Sequence, residues 1–148
     1  MLWVPDTTDV WVPARLVGED EKGNLKASVI TTGKLLDLKK STCIPIADPE
    51  LLKDAPDDLI SLAEVHEASI LNAIRVKFLE KCIYTSCGTV LMVVNPFTKI
   101  ENLYGPEKVI QYRNPYAEGL VPHVFKTAST AYYQMCTFGK NQSILIRY

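Results

Sequence analysis

The chain has 148 residues, with 16 lysines and arginines against 17 aspartates and glutamates, giving a formal net charge of −1. Hydrophobic residues make up 47% and charged residues 22%, a balance that excludes a disordered chain and allows a real core. The near-neutral charge gives no electrostatic basis for binding nucleic acid. The longest apolar run, residues 90–94, is far shorter than the roughly 20 residues of a membrane span. The N-terminus shows no secretory signal pattern, so we expect a cytoplasmic protein.

The cysteines and histidines lack the spacing of a metal site. No Cys-x-x-Cys pair occurs, and the histidines are separated from the cysteines and from each other: Cys43, Cys82, Cys87 and Cys136 against His66 and His123. We therefore predict no metal site and reduced, mostly buried thiols. Neither histidine has a nucleophile close in sequence, so we predict no catalytic residue and interpret both as helix-surface or capping residues.

The first part of the chain consists of short apolar segments separated by glycine-containing turns. Such strands, with no room for a helix between them, predict a small antiparallel β-barrel or meander, which we place at residues 1–50. Pro49 and Pro56 indicate a linker at about residues 47–57. Asp57 or Asp58 could then cap the following helix; this interpretation is favoured over a metal-binding carboxylate pair.

The remainder of the chain predicts a mixture of helices and strands, so the fold class is mixed α+β. Apolar spacing indicates helices at residues 59–65 and 70–79, the second packing Ile70, Ile74 and Phe78 on a core while Lys77 faces away. The segments at residues 82–86 and 89–94 predict a hairpin. Its second strand is apolar on both faces, which indicates burial in a covered sheet.

Two further helices and a strand follow. A short helix is expected after Gly105-Pro106, and a longer amphipathic helix from Val124 to near Gly139. Residues 143–146 predict a last buried strand.

The loop at residues 95–104 has the composition of a ligand site. It leaves the C-terminal end of the predicted buried strand, the edge at which open α/β sheets bind ligands. Asn95 offers an amide, Phe97 and Tyr104 offer rings, and Lys99 offers a cation, which together could hold an adenine and its ribose. The alternative is an ordinary strand-to-helix loop whose aromatic rings cover the core. Composition alone favours this alternative, and no Gly-x-x-x-x-Gly-Lys-Ser/Thr phosphate loop is present.

Residues 58–146 resemble the opening part of a myosin motor head. The resemblance rests on the order and spacing of short motifs: Asp58-Leu59-Ile60-Ser61-Leu62, Ile83-Tyr84-Thr85, Val94-Asn95-Pro96-Phe97, Leu103-Tyr104-Gly105-Pro106-Glu107, Pro122-His123-Val124-Phe125 and Asn141-Gln142-Ser143-Ile144-Leu145-Ile146. The leader, with Trp3-Val4-Pro5-Asp6 and Val10-Trp11, is similar to the Src-homology-3-like (SH3-like) barrel that precedes many myosin motors.

The resemblance implies that residues 57–148 form part of an incomplete α/β motor subdomain of the P-loop NTPase type. It implies ATP with Mg²⁺ as cofactor, actin filaments as partner, and a place in the cytoskeletal myosin complex. By position, the adenine side of the ATP pocket falls on Asn95, Pro96, Phe97 and Tyr104, with Lys99 near the ribose or triphosphate. The nine positions from Asn95 to Tyr104 are one more than in many family members, which bears on the placement of Lys99.

The resemblance also implies what this chain should not do alone. Where the family continues from Asn-Gln-Ser-Ile-Leu-Ile into its phosphate loop, this sequence reads Arg147-Tyr148. We therefore expect an N-terminal piece of an unconventional-type myosin heavy chain that does not hydrolyse ATP by itself. We also expect open edges or apolar faces at residues 90–94 and 143–146.

A second function remains open, from a different class. The N-terminal barrel could be a non-catalytic module that binds a protein partner through an aromatic groove suited to proline-rich segments. Trp3 and Trp11 are the only tryptophans that could line such a groove. The favoured interpretation is that both pack between the barrel and the motor core.

Overall fold

The structure is a computed structural model that describes residues 1–147. The chain divides into two compact units. The first contains residues 1–56 and 61–76, and the second contains residues 57–60 and the part from Lys77 onward. Residues 61–76 thus cluster with the N-terminal unit.

The first unit contains a five-stranded antiparallel sheet. Its strands are β1 (Leu2–Asp6), β2 (Val10–Glu19), β3 (Asn24–Val29), β4 (Leu35–Lys39) and β5 (Ile44–Pro45). They lie in the order β4-β3-β2-β1-β5, which confirms the predicted antiparallel architecture. Within the described residues no ladder joins β4 to β5, so the barrel is not closed. The reason lies in β5, which is two residues long and ends at a proline that cannot donate a ladder hydrogen bond.

One face of this sheet forms the core of the first unit. Alternate side chains of a strand point to one face, and here these are small or β-branched. They leave at most 5% of their surface exposed: Val4, Val12, Ala14, Ala27 and Val29. Trp3 is also buried, beside a cavity of about 20 Å³ whose lining includes Leu51, His66 and Asn72. That volume suffices for about one water molecule.

The first long helix, α1 (Glu67–Leu79), starts at a reciprocal cap. His66 Nδ1 accepts a hydrogen bond from the Ser69 N–H (3.2 Å), and Ser69 Oγ accepts one from the His66 N–H (3.1 Å). The capping interpretation of His66 is therefore confirmed.

The predicted apolar stripe of α1 is wrong. The buried positions are small or polar, namely Ala68, Ser69, Asn72 and Ala73, whereas Phe78 is exposed and Ile70 and Ile74 are only half-buried. The buried Asn72 amide donates to the Leu51 carbonyl at 2.7 Å. A buried polar group that is satisfied in this way can replace an apolar one at a close contact.

The second unit contains a hairpin of β6 (Tyr84–Cys87) and β7 (Val90–Val93), as predicted. The predicted burial of the second strand is wrong, because Val90 and Val93 are 60% and 57% exposed. Among the described residues β7 pairs only with β6, so its other edge is open. The expectation of an open edge with exposed apolar residues is thereby confirmed.

Two helices complete the second unit. Helix α2 (Pro106–Gln111) has Pro106 in its first turn, and α3 (Val124–Phe138) ends at Gly139 with φ +62°, both as predicted. The buried strand predicted at residues 143–146 is not found. This segment has no regular structure, and Ile144, Leu145 and Ile146 are at least 58% exposed. A strand needs a neighbouring strand for its hydrogen bonds, and none of the described strands pairs with this segment.

The four thiols are unpaired, as predicted, but their predicted burial is wrong. Cys82, Cys87 and Cys136 are exposed, and Cys43 is half-buried. Cys82 lies in the connection between α1 and β6, and Cys87 is the last residue of β6. Across residues 1–147 no helix is both long and apolar enough to cross a membrane.

The turn of the hairpin depends on the backbone conformation of Gly88. Gly88 has φ +59°, and a Cβ there would lie 2.8 Å from Ile60 Cδ1. Gly88→Ala should therefore lower the free energy of unfolding by about 2 kcal/mol, measured by amide hydrogen exchange of β6. Gly119→Ala is the matched control, because Gly119 has φ +73° with open space around it. Gly119→Ala should lower the free energy of unfolding by about 1 kcal/mol, through backbone strain alone. Equal losses in the two variants would show that Ile60 exerts no steric effect.

Candidate functional site

The loop at residues 95–104 connects β7 to α2 in the second unit. Its first turn is set by Asn95, whose Oδ1 accepts a hydrogen bond from the Phe97 N–H at 2.9 Å. Phe97 adopts a left-handed backbone with φ +51°, and its ring is 89% exposed. An aromatic ring held this far into solvent contributes little to the core and is free to contact a ligand.

The last residue of the loop is held by a buried hydroxyl group. Tyr104 Oη lies 2.7 Å from Tyr84 Oη of β6. Tyr84 is buried, whereas Tyr104 keeps 57% of its surface exposed. Burial, and then the hydrogen bond to Tyr104, raises the pKa of Tyr84 well above its ordinary value. Tyr84 therefore stays a neutral hydrogen-bonding group through the physiological range.

Two of the predicted site residues lie in the middle of the loop. Lys99 is exposed, and its ammonium forms no ion pair or hydrogen bond within residues 1–147. Pro96 is half-buried. Hydrogen bonds thus connect Asn95 with Phe97 and connect Tyr104 with the sheet, while Pro96 and Lys99 belong to the site only through their place in the loop.

His123 lies beneath the end of the loop and is only 3% exposed. Its Nδ1 accepts a hydrogen bond from the Phe125 N–H at 3.0 Å, and its Nε2 lies 3.0 Å from the Leu103 carbonyl oxygen. Because a carbonyl can only accept, Nε2 must carry the proton and the ring is neutral. Burial lowers the pKa of His123; the bond to Leu103 opposes this effect and the charge of Lys108 adds to it. The predicted capping role is confirmed, and the alternative of a surface position is wrong.

His123 is the centre of an aromatic cluster, defined as Tyr84, Tyr104, Tyr112, His123 and Phe125. The Tyr112 ring stacks on the imidazole with centroids 4.8 Å apart and planes 19° apart, and Tyr84 and Phe125 contact it at 4.9 and 4.7 Å. Tyr112 also donates from its hydroxyl to the Val121 carbonyl at 3.1 Å. The cluster joins the hairpin, the loop and both helices of the second unit.

The two interpretations of the loop each describe part of what the structure shows. Tyr104 contacts the aromatic cluster, as expected of an ordinary loop that covers a core. Phe97 does not, since its ring points to solvent. The loop is therefore anchored at its C-terminal end and exposed at its N-terminal turn.

The acidic pair next to the hairpin has a structural role. Lys77 Nζ donates to Asp57 Oδ1 at 2.6 Å, and Asp58 Oδ1 accepts from the N–H groups of Ile60 and Gly88, both at 3.1 Å. These two backbone hydrogen bonds lower the pKa of Asp58, and the bond from Ile60 has the larger effect. The capping interpretation is confirmed for Asp58, but the helix predicted at residues 59–65 is wrong, because Asp58 caps only a single 3-10 turn, Leu59–Ser61. The expectation that Lys77 faces away from the fold is wrong, because its side chain is only 12% exposed.

Burial alone would lower the pKa of Lys77. The hydrogen bond and charge of Asp57, with smaller contributions from Cys82 and Glu80, outweigh this effect and raise the pKa instead. The ion pair is thus formed at neutral pH and fixes the segment before the hairpin.

In the part of the chain that the structure describes, no three His, Cys, Asp or Glu side chains lie together where they could hold a metal ion.

A broad depression of about 780 Å³ lies elsewhere on the second unit. It is open to solvent and is lined by Ile110, Gln111, Arg113, Asn114, Pro115, Tyr116 and Tyr133. None of the five predicted loop residues lines it.

The predicted loop residues carry chemical groups of the kinds that contact flat, partly polar ligands. These groups are the exposed Phe97 ring, the Asn95 amide, the Tyr104 phenol and the Lys99 ammonium, and the aromatic cluster holds the C-terminal end of the loop. Rings and amides of this kind contact nucleobases by stacking and hydrogen bonding.

Comparison with known proteins identifies the family. The family model for the myosin head (motor domain) matches residues 56–147, which is more than half of the chain. The chain therefore belongs to the myosin head family of motor domains.

Individual relatives agree with this assignment along the whole chain. It is 32% identical to unconventional myosin-Va of Gallus gallus over 151 residues, 35% identical to myosin-13 of Arabidopsis thaliana over 149, and 30% identical to unconventional myosin-Vb of Homo sapiens over 151. These matches cover 98–99% of this chain but only 8–10% of each relative. The chain thus spans about a tenth of the length of the relatives it matches.

Proposed function

We propose that this chain supplies the nucleobase side of the ATP site of an actin-based motor. The observation that carries the proposal is the exposed ring of Phe97 on a loop whose last residue is fixed by Tyr84, in a chain that belongs to the myosin head family. ATP, bound with Mg²⁺, supplies the phosphoryl group whose transfer drives such motors. Actin filaments and a cytoskeletal location follow from the same proposal.

Each loop residue has a proposed part in holding the nucleoside. Phe97 and Pro96 provide apolar contact to the base, and the Tyr104 hydroxyl and Asn95 amide provide hydrogen bonds. Lys99 is the nearby cation for the ribose or the triphosphate. Asn95 Oδ1 is already used by the Phe97 N–H, so its amide N–H₂ is the group available to a ligand.

We further propose that the 148-residue chain alone does not turn over ATP. Phosphoryl transfer depends on groups that hold the γ-phosphate and its metal ion, and this sequence contains no Gly-x-x-x-x-Gly-Lys-Ser/Thr segment to cradle phosphates. Contacts to the base alone should give weak binding.

Calorimetric titration tests whether contacts to the base alone give weak binding. ATP with Mg²⁺ should bind the 148-residue chain with a Kd weaker than about 10 μM, equivalent to less than about 7 kcal/mol. Phe97→Ala should weaken binding further without changing thermal stability, because its ring is outside the core. Leu145→Ala is the matched control, since Leu145 is 79% exposed in the same unit but outside the loop. A Kd below about 10 μM, or equal affinity for all three proteins, would contradict the proposal.

The domain division belongs to the same proposal. Residues 1–50 form an SH3-like module, and residues 57–148 form the N-terminal portion of the motor.

The competing function, a protein-interaction module with an aromatic groove, finds little support in the tryptophans. Trp3 is only 2% exposed, so such a groove would depend on Trp11 alone.

A further inference from the structure

Two consecutive residues at the end of the loop are each held by a buried polar side chain. Tyr84 lies 2.7 Å from the hydroxyl of Tyr104, and His123 donates to the carbonyl of Leu103 at 3.0 Å. The two holding residues come from β6 and from the start of α3, 20 positions away on either side. The end of the loop is therefore attached to two separate elements.

Both contacts would be costly to break. Tyr84 and His123 are 7% and 3% exposed, so water does not readily replace the loop as a partner. A buried donor that loses its acceptor pays its full desolvation cost. The two rings also touch each other, with centroids 4.9 Å apart, so displacing one disturbs the other. The described loop conformation is thus strongly favoured before any ligand arrives.

We propose that Tyr84 and His123 are positioning residues for the nucleobase loop, holding Leu103 and Tyr104 so that the loop binds without first being ordered. This inference rests on the proposed function of the loop. Neither side chain need touch the nucleotide. They act through Tyr104 and Leu103, because a preformed loop loses less conformational entropy on binding.

Two variants probe the proposed role, and Tyr84→Phe is the conservative one. Tyr84→Phe keeps the ring and removes only the hydroxyl group. His123→Asn removes the ring and the bond to Leu103, while an asparagine oxygen can still cap α3. The matched control is Tyr112→Phe, which removes a hydroxyl bonded to the Val121 carbonyl in the same cluster without a contact to the loop.

Nuclear magnetic resonance of the labelled 148-residue chain provides the test. In Tyr84→Phe and His123→Asn the nuclear Overhauser contacts between the Tyr104 and Phe125 rings should be lost, while Tyr112→Phe should retain them. Titration with adenosine 5′-monophosphate should show three- to tenfold weaker binding for the first two variants and no change for the control. Retained ring contacts with unchanged affinity in Tyr84→Phe and His123→Asn would overturn the inference.

The two proposals fail in different ways. If the loop resonances of the unmodified chain do not respond to the nucleotide, the proposed function falls. The ring contacts would still decide whether Tyr84 and His123 position the loop. If His123→Asn does not fold, which hydrogen exchange in β6 would reveal, the comparison of Tyr84→Phe with Tyr112→Phe decides alone.

Discussion

Replacing His123 by alanine should lower the free energy of unfolding of the second unit by about 4 kcal/mol. The substitution leaves a cavity between three aromatic rings and removes two hydrogen bonds, one capping α3 and one holding Leu103. Amide hydrogen exchange of β6 and α3 measures the loss within the second unit itself, whereas both tryptophans lie in the first unit.

The pH dependence of stability provides a control for this prediction. The ordinary pKa of histidine is 6.5, and burial lowers the pKa of His123 in the folded chain. The unfolded chain therefore binds more protons as pH falls below about 6.5, so the contribution to stability is present above that pH and is lost as pH falls through the folded pKa. Burial raises the pKa of Tyr84 and of Tyr112, the two tyrosines whose rings contact the imidazole most closely, so neither of them titrates in this window. His123→Asn should remove this component, and an unchanged pH profile would contradict a buried neutral His123.

Replacing Trp3 by alanine should destabilise the first unit by about 3–5 kcal/mol. Trp3 is 2% exposed and lies beside an existing small cavity, so truncation enlarges a void that the sheet cannot close. Urea unfolding followed by the fluorescence of the remaining Trp11 measures the effect.

Trp11→Phe is the matched variant and should change stability by less than about 1 kcal/mol. The Trp11 Nε1 atom is buried and has no hydrogen-bond partner within residues 1–147, so removing it relieves an unsatisfied donor while phenylalanine keeps part of the ring packing. Equal losses for the two variants would contradict the different roles assigned here. Loss of a partner protein by Trp11→Phe, with the fold intact, would favour the interaction module.

Local sequence signals predicted much of the second unit. Glycine at the hairpin turn and after α3, and proline in the first turn of α2, each act within a few residues, and all three were placed correctly. The predictions that failed concern burial. Val93, Ile144 and Phe78 are hydrophobic residues of the kind found in protein cores, but they are exposed. Burial depends on which other elements cover a face, and the hydrophobicity of a residue does not indicate this.

The candidate site shows the same division between local and distant effects. The Asn95 turn and the cap at His123 could be anticipated from neighbouring residues. The contacts of Tyr84 with Tyr104 and of His123 with Leu103 join residues 20 positions apart, and no periodicity or motif marks such pairs. Pro122-His123 before a helix indicated a cap, but not that the ring would lie at the centre of an aromatic cluster.

Mapping the surface that contacts the base shows whether the loop at residues 95–104 holds it. Adenosine and inorganic triphosphate should each be titrated into the labelled 148-residue chain while the amide and aromatic resonances are followed. Adenosine should shift the resonances of residues 95–104, Phe97 and Tyr104 most strongly, and triphosphate should reproduce none of these shifts except near Lys99. Adenosine shifts located elsewhere, for example in the depression beside Tyr116 and Tyr133, or no shifts at all, would contradict the proposed role of the loop.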